Sequence, residues 1–227
     1  MNGLMLFSTV SEVSILIPAV IILIKRKYLT AELRILTVYV LLTLLRNTVG
    51  VTSDILFYSG LKNFHTLFFY NWQSVLGFYV IAFLYFRLLQ FRYWGLFIII
   101  AAGVFTFFSI LEIPSGSLTK LNTRSFNQYT YTASSLIILI IVLAYLYQLL
   151  QDLKVESITK FPYFWVSVGL LFYFGGSLFV NLFLAKSALS TTQITWGINS
   201  GLSFIFHFTV SLAFWYSSFL NNTPNDE

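Results

Sequence analysis

The sequence predicts an all-α integral membrane protein, a bundle of about seven transmembrane helices. Only 9% of the 227 residues are charged and 58% are hydrophobic, whereas a soluble domain carries about 25% charged residues. Seven mainly apolar stretches follow one another, separated by short polar segments. Each is near the roughly 20 residues that a helix needs to cross a bilayer. Membrane barrels use shorter, alternating strands, so the long apolar runs predict helices.

The predicted helices take up most of the chain, and they cover residues 7–24, 35–58, 66–89, 94–112, 128–150, 162–185 and 194–219. We expect Pro18 to kink the first helix, because proline has no backbone N–H to donate. Pro162 suits the first turn of the sixth helix. The Gly175-Gly176 pair predicts a point of close helix packing. The expected organisation is one transmembrane domain, residues 1–220, and a short polar cytoplasmic tail, residues 221–227.

Basic residues in the loops predict the orientation, because cytoplasmic loops carry an excess of lysine and arginine. With the N-terminus outside, eight basic residues fall on the inner side: Lys25, Arg26, Lys27, Arg34, Arg87, Arg92, Lys154 and Lys160. Four fall on the outer side: Lys62, Lys120, Arg124 and Lys186. The first apolar stretch is followed, not preceded, by basic residues, the reverse of a signal peptide. We therefore expect an N-out, C-in protein of the inner (plasma) membrane with a retained first helix.

Polar residues inside the apolar stretches mark the candidate binding site. Arg46 lies roughly 16 Å along the second helix, near mid-membrane, where an arginine is costly and needs a partner. We expect it to face the bundle interior and to meet a carboxylate or several carbonyls. The predicted ligand-binding set adds polar residues from the second, third, sixth and seventh helices: Asn47, Asp54, Asn71, Gln73, Asn181, Asn199 and His207. The hypothesis is a polar cavity that opens to the outside and has Arg46 and His207 at its floor.

A structural interpretation of the same residues stands beside the functional one. Asn, Ser and Thr side chains also join membrane helices by hydrogen bonds of roughly 0.6–2 kcal/mol each, and this is the favoured interpretation for them. For His207 the two interpretations are balanced, because a single histidine often bridges two helices. For Arg46 a binding or gating role is favoured because of its cost.

Several classes of site and partner are not expected. The chain has no cysteine and two histidines, His65 and His207, so it lacks the ligand clusters typical of zinc. The last helix contains no lysine for a retinal Schiff base, and no cofactor is expected. The basic residues form no stripe for nucleic acid. No catalytic motif appears and no catalytic residue is predicted, which favours a role other than an enzyme's.

One pattern resembles a known group of proteins. The sixth helix reads Pro162-Tyr163-Phe164-Trp165, Gly169-Leu170 and Tyr173 to Phe179, and the last helix contains Trp196 and Ala213-Phe214-Trp215. These segments resemble small polytopic membrane proteins of Bacteroidetes-type bacteria that occur beside, or fused to, sensor histidine kinases. The resemblance implies a bacterial inner membrane and signal transduction. The group supplies no assigned ligand residues.

The leading functional hypothesis is a non-enzymatic inner-membrane sensor. A small molecule or lipid would occupy the outer cavity, and the Arg46 region would pass the signal to a partner protein, besides the lipid bilayer itself. One alternative is a small-solute or ion transporter or channel. A second alternative is a structural subunit of a membrane complex.

Overall fold

The computed structural model describes residues 3–58, 66–90, 92–113, 116, 118–120, 127–151, 158–184 and 189–220. The side chains of residues 3–6, 54–58, 92, 181–184, 189–196 and 219–220 are not part of this description, and neither is the predicted tail 221–227. The described residues contain no strand. Within these described ranges, seven spans are long and apolar enough to cross a membrane, from Phe7–Tyr28 to Gly197–Trp215. The prediction of a multi-pass helical membrane protein is confirmed at this level.

In the described part of the chain, eight helices build the spans and a short ninth follows the last one. The bounds of the spans lie within a few residues of the predicted ones. The helices are α1 (Gly3–Val13), α2 (Leu16–Lys25), α3 (Ala31–Tyr58), α4 (Leu67–Leu88), α5 (Arg92–Leu111), α6 (Gln128–Gln151), α7 (Pro162–Leu184), α8 (Leu189–Trp215) and α9 (Ser217–Leu220). Helices α1 and α2 together make the first span.

The first span is broken where the sequence predicts a kink. Helix α1 ends at Val13 and α2 begins at Leu16, with a turn at Ser14 and Ile15. Pro18 has no N–H to donate to the carbonyl of Ser14, four residues earlier. That carbonyl instead accepts from Ile17 N at 3.1 Å. The proline therefore opens the helix one turn before its own position.

Six of the spans form a ring. Going round it, the first span packs against α8, α8 against α7, α7 against α6, α6 against α4, and α4 against α3, which returns to the first span. Helix α5 lies outside the ring and packs against α4 and α6. Phe105 of α5 stacks on Phe78 of α4 with 3.8 Å between the ring centroids. This contact attaches α5 to the outside of the ring.

The surface of the bundle is apolar, as a lipid-facing surface requires. Leu23 is 72% exposed, Ile99 61% and Phe208 54%. Exposed apolar patches of this extent are rare on soluble monomers. Among the described residues, one charged pair is recorded, Arg87 with Glu32 at 3.2 Å.

Small residues bring α7 and α8 together. A Cβ atom added to Gly169 would lie 2.0 Å from Thr209 Oγ1, and one added to Gly176 would lie 2.6 Å from Leu202. Gly169 is therefore required for the approach of α8, whereas Gly176 meets the flexible end of Leu202. At Gly175 an added Cβ would meet only Leu139, at 3.7 Å, so of the predicted pair Gly176 makes the close contact. Helix α7 begins at Pro162, as predicted.

The start of α6 is fixed by a carboxylate from the preceding turn. Glu112 accepts hydrogen bonds from Tyr129 N at 2.8 Å and Thr130 N at 3.0 Å. The first N–H groups of a helix have no partner within the helix, and a negative charge there is also favoured by the helix dipole. Glu112, only 7% exposed, thus joins the end of α5 to the beginning of α6.

Candidate functional site

A small cavity lies within the ring, between α3, α4, α6 and α7. Its volume is about 60 Å³. Most of the lining side chains are polar, and the full lining is Tyr39, Arg46, Tyr70, Gln73, Ser74, Gly77, Phe78, Tyr131, Ser134, Tyr173 and Phe174. Four tyrosines and one arginine at a membrane interior are unusual, because unpaired polar groups there cost several kcal/mol. Each polar group therefore needs a partner within the bundle or in the cavity.

Arg46 is held by one amide and one aromatic ring. Its Nε donates to Asn47 Oδ1 at 2.8 Å, and its Nη2 donates to the same oxygen. The guanidinium lies over the ring of Tyr70, with 4.4 Å from Cζ to the ring centroid. A cation over an aromatic face contributes about 1–2 kcal/mol when water is excluded. These contacts fix the cation at one wall of the cavity.

Glu12 of α1 is bound to the same group of residues. The hydroxyl of Tyr70 donates to Glu12 Oε1 at 3.0 Å. Asn47 donates from Nδ2 to the Glu12 backbone carbonyl at 2.8 Å and is 3% exposed. Gly50 provides the space, since a Cβ there would lie 3.4 Å from Glu12 Oε2. Helix α1 is thereby joined to α3 and α4 beside the cavity.

The opposite wall is a chain of hydroxyl and amide groups. Tyr131 of α6 forms side-chain hydrogen bonds with Tyr173 and Ser177 of α7. Ser177 in turn donates to Asn199 Oδ1 of α8 at 3.2 Å. Asn199 therefore takes part in the contact between α7 and α8 and is not part of the cavity lining.

His207 lies at the break in the first span. Its Nδ1 is 2.7 Å from Ser14 Oγ, and Ser14 donates to the carbonyl of Ser11 at 2.6 Å. Because a serine hydroxyl has one proton, His207 Nδ1–H is the donor to Ser14. Ser11 also donates to the Ser200 carbonyl at 2.6 Å. These bonds join the turn between α1 and α2 to α8.

The structure separates the predicted site residues into groups. Arg46 and Gln73 line the cavity, and Asn47 holds Arg46. His207 and Asn199 lie outside the cavity lining, so the hypothesis that His207 shares its floor is not supported by the geometry. The side chains of Asp54 and Asn181 lie outside the described residues.

Asn71 belongs to a separate buried cluster at the start of α6. Its Oδ1 accepts from Asn127 N at 3.3 Å, and Asn127 Nδ2 donates to Ser74 Oγ at 3.1 Å. Asn71 and Asn127 are both fully buried. This arrangement fits the structural interpretation, in which the amides join α4 to α6.

The sequence prediction omitted the tyrosines, which form most of the cavity wall. Tyrosine is common in membrane helices, and the sequence analysis selected site residues by their charged, amide or imidazole side chains. A usable signal was the spacing: Tyr39 lies two helical turns before Arg46, and Tyr70, Gln73 and Gly77 follow one helical face. The sequence analysis did not predict that Glu12 lies beside Arg46.

The lining of the cavity contains groups that can bind a small polar molecule. Its described lining includes hydrogen-bond donors and one cation, and no carboxylate or histidine among the described lining residues could act as a base. Within the described part of the chain, no group of three or more histidine, aspartate or glutamate residues could hold a metal ion.

Comparisons with known proteins gave no match of any kind. No protein-family model matches the chain. No curated protein and no solved structure matches it either. The resemblance to small membrane proteins found beside sensor kinases therefore stays a prediction.

Proposed function

We propose that the protein is a non-enzymatic membrane sensor that binds a small molecule in the cavity beside Arg46. The observation that carries this proposal is the cavity itself: a charged side chain and several hydroxyls from four helices converge on about 60 Å³ of space. A purely structural arginine would be expected to be enclosed by its partners, without a cavity beside it. A binding role also accounts for the cost of placing arginine at this depth.

The contacts of Arg46 supply a route from the cavity to α1. Tyr70 and Asn47 each contact Arg46 on one side and Glu12 on the other. A ligand that draws the guanidinium away from Asn47 would weaken the attachment of α1 to α3. The break before Leu16 then allows α1 to move while α2 keeps its place. This movement is the proposed signal.

The proposed setting is the inner membrane of a bacterium, with the N-terminus outside. Two basic segments would face a cytoplasmic partner. One is Lys25–Lys27 at the end of α2, and the other is Lys154–Lys160, which precedes α7 in the sequence. Orientation is testable because the chain has no native cysteine. Single cysteines at Lys120 and Lys27, both exposed, form a matched pair for an impermeant maleimide added to intact cells. Labelling at position 27 and not at position 120 would contradict the proposed orientation and would place the N-terminus inside.

A distance measurement tests the proposed function. Spin labels at Val10→Cys on α1 and Leu143→Cys on α6, which are 49% and 54% exposed, report the position of α1 against the ring. We expect a small probe that fits the cavity (chloride, nitrate, formate, formamide or urea) to shift this distance in wild-type protein in nanodiscs. The shift should be absent in the Arg46→Gln background and present in Arg34→Gln, whose arginine is exposed.

Liposome flux separates the sensor from the transporter alternative. A sensor binds the probe without moving it, so proteoliposomes should show no release above that of protein-free vesicles. Fast release of the same probe that shifts the α1 distance would favour the transporter. Binding without any α1 shift would contradict the sensor proposal.

A further inference from the structure

We infer that the occupant of the Arg46 cavity is a small monovalent anion of at most about four non-hydrogen atoms. This inference rests on the proposed function and adds the chemical class of the ligand. It follows from the charge of the cavity, the donor groups of its lining and its size, taken in that order.

The charge of the cavity favours an anion. Arg46 is the one formally charged residue in the described lining. The carboxylate of Glu12 is on the hydroxyl side of Tyr70 and is not part of the lining. A cation in the cavity would face a guanidinium in a low-dielectric interior, where like charges repel far more strongly than in water. An anion would be attracted by the same charge.

The hydrogen-bond donors of Arg46 favour the same class. A guanidinium has five N–H groups, and the described bonds of Arg46 use Nε and Nη2 on a single acceptor, Asn47 Oδ1. The remaining N–H groups are available to an occupant of the cavity. Across from Arg46, the hydroxyl of Tyr173 is part of the same lining. Bonds of this kind, between donors and a charged acceptor, are about twice as strong as neutral ones.

The size of the cavity sets the upper limit of the ligand. A cavity needs about 10–15 Å³ of space open to a water-sized sphere for each water that it holds, so about 60 Å³ accommodates about four atoms of that size. Chloride, nitrate and formate fit this space, whereas phosphate, sulfate and sugar acids are too large. A divalent anion would also lose more hydration energy on entry than one arginine returns.

The rival occupant is water. Water molecules in the cavity could satisfy the same donors and would make Arg46 a structural residue. The two cases differ in one measurable respect: only an anion site makes the stability of the protein depend on which salt is present at constant ionic strength.

Thermal unfolding of the purified full chain in detergent tests the inference. The reference buffer contains gluconate, which is too large for the cavity, and chloride, nitrate or formate replaces it at equal ionic strength. At an anion concentration about 100 times the Kd, we expect the unfolding temperature to rise by about 5 °C. Formamide, the neutral counterpart of formate, should not raise it. Arg34→Gln should keep the anion response and Arg46→Gln should lose it.

Two milder substitutions keep the test decisive if Arg46→Gln does not fold. Arg46→Lys retains the charge and should retain a weaker anion response. Tyr173→Phe removes one lining hydroxyl and should weaken the apparent affinity about tenfold, whereas Tyr129→Phe, at a residue 70% exposed, should not change it.

The possible outcomes bear on the two proposals separately. Equal unfolding temperatures in all salts, or an equal rise in Arg46→Lys, Tyr173→Phe and wild type, would overturn the anion inference. A rise with formamide as large as that with formate would also overturn it, although a neutral ligand would still fit the sensor proposal. An anion response without any change in the distance between α1 and α6 would uphold the anion site and contradict the sensor.

Discussion

The ring of Tyr70 lies between a cation and a carboxylate: Arg46 stacks on its face at 4.4 Å, and its hydroxyl donates to Glu12 at 3.0 Å. One side chain of α4 therefore contacts the charged groups of both α3 and α1. In a membrane interior, loss of either partner leaves the other charge poorly compensated. The stability of this part of the bundle should depend on Tyr70 more than on other tyrosines.

Removal of the Tyr70 hydroxyl should destabilise the protein while leaving the aromatic face intact. Tyr70→Phe loses a hydrogen bond to a carboxylate, and we expect a loss of about 1.5–3 kcal/mol in the free energy of unfolding. Tyr70→Leu also loses the stacked ring and should cost about 1–2 kcal/mol more. Unfolding in mixed micelles, followed by circular dichroism, measures both. Tyr93→Phe, at a residue 86% exposed, is the matched control, and an equal loss there would contradict the assignment.

The glycines of α7 should differ in their tolerance of alanine. At Gly169 an added methyl group meets Thr209 Oγ1 at 2.0 Å and Phe206 at 3.1 Å, so α8 must shift. We expect Gly169→Ala to cost about 1–3 kcal/mol. Gly176→Ala meets the flexible end of Leu202 and should cost less. At Gly103 nothing lies within 4 Å, and Gly103→Ala should be neutral or stabilising by up to about 1 kcal/mol. A different order of unfolding temperatures would show that α7 and α8 pack otherwise.

Loss of the carboxylate at the start of α6 should be visible in local exchange. Glu112→Ala removes the acceptor for Tyr129 N and Thr130 N. We expect a loss of about 0.5–2 kcal/mol and faster hydrogen–deuterium exchange in the first turn of α6. Glu112→Gln keeps an acceptor oxygen but loses the charge, and it should show a smaller effect. Unchanged exchange at residues 129–130 in both variants would contradict the capping role.

Replacement of Pro18 should restore a continuous first helix. In Pro18→Ala, an N–H becomes available for the Ser14 carbonyl, which now accepts from Ile17. A straight helix would place residues 10 and 24 about 21 Å apart. Spin labels at Val10→Cys and Ile24→Cys, both exposed, should therefore report a longer and narrower distance distribution than in the proline background. An unchanged distribution would assign the break to the bond between Ser14 and His207 instead of to the proline.

The spans were predictable because their signal is strong and local. A run of about 20 apolar residues has few alternatives, and proline and glycine act at their own positions, as Pro162 and Gly176 show. The sequence predicted a break in the first helix but did not predict that the break falls at Ser14. Its position depends on which backbone carbonyl loses its hydrogen-bond donor. The orientation of the chain relative to the membrane stays a prediction.

The candidate site was predictable only in part. The cost of a charge in lipid identified Arg46 without any tertiary information, and Asn47 is the next residue in the sequence. The pairing of α3 with α1 and α4 depends on the ring order of the helices, which no local pattern contains. Sequence therefore could not place Glu12 beside Arg46, remove His207 from the cavity or select Tyr131 and Tyr173 from the 14 tyrosines of the chain.

The position of α5 outside the ring has a topological consequence. Helices α4 and α6 are neighbours in the ring, and because α5 carries the chain back across the membrane between them, they run in the same direction. Helix α5 thus acts as a crossover connection. Among the described residues, it brings the number of candidate spans from six to seven. No residue of α5 belongs to the described cavity lining. Substitutions on its lipid-facing side should therefore leave the lining of the cavity unchanged.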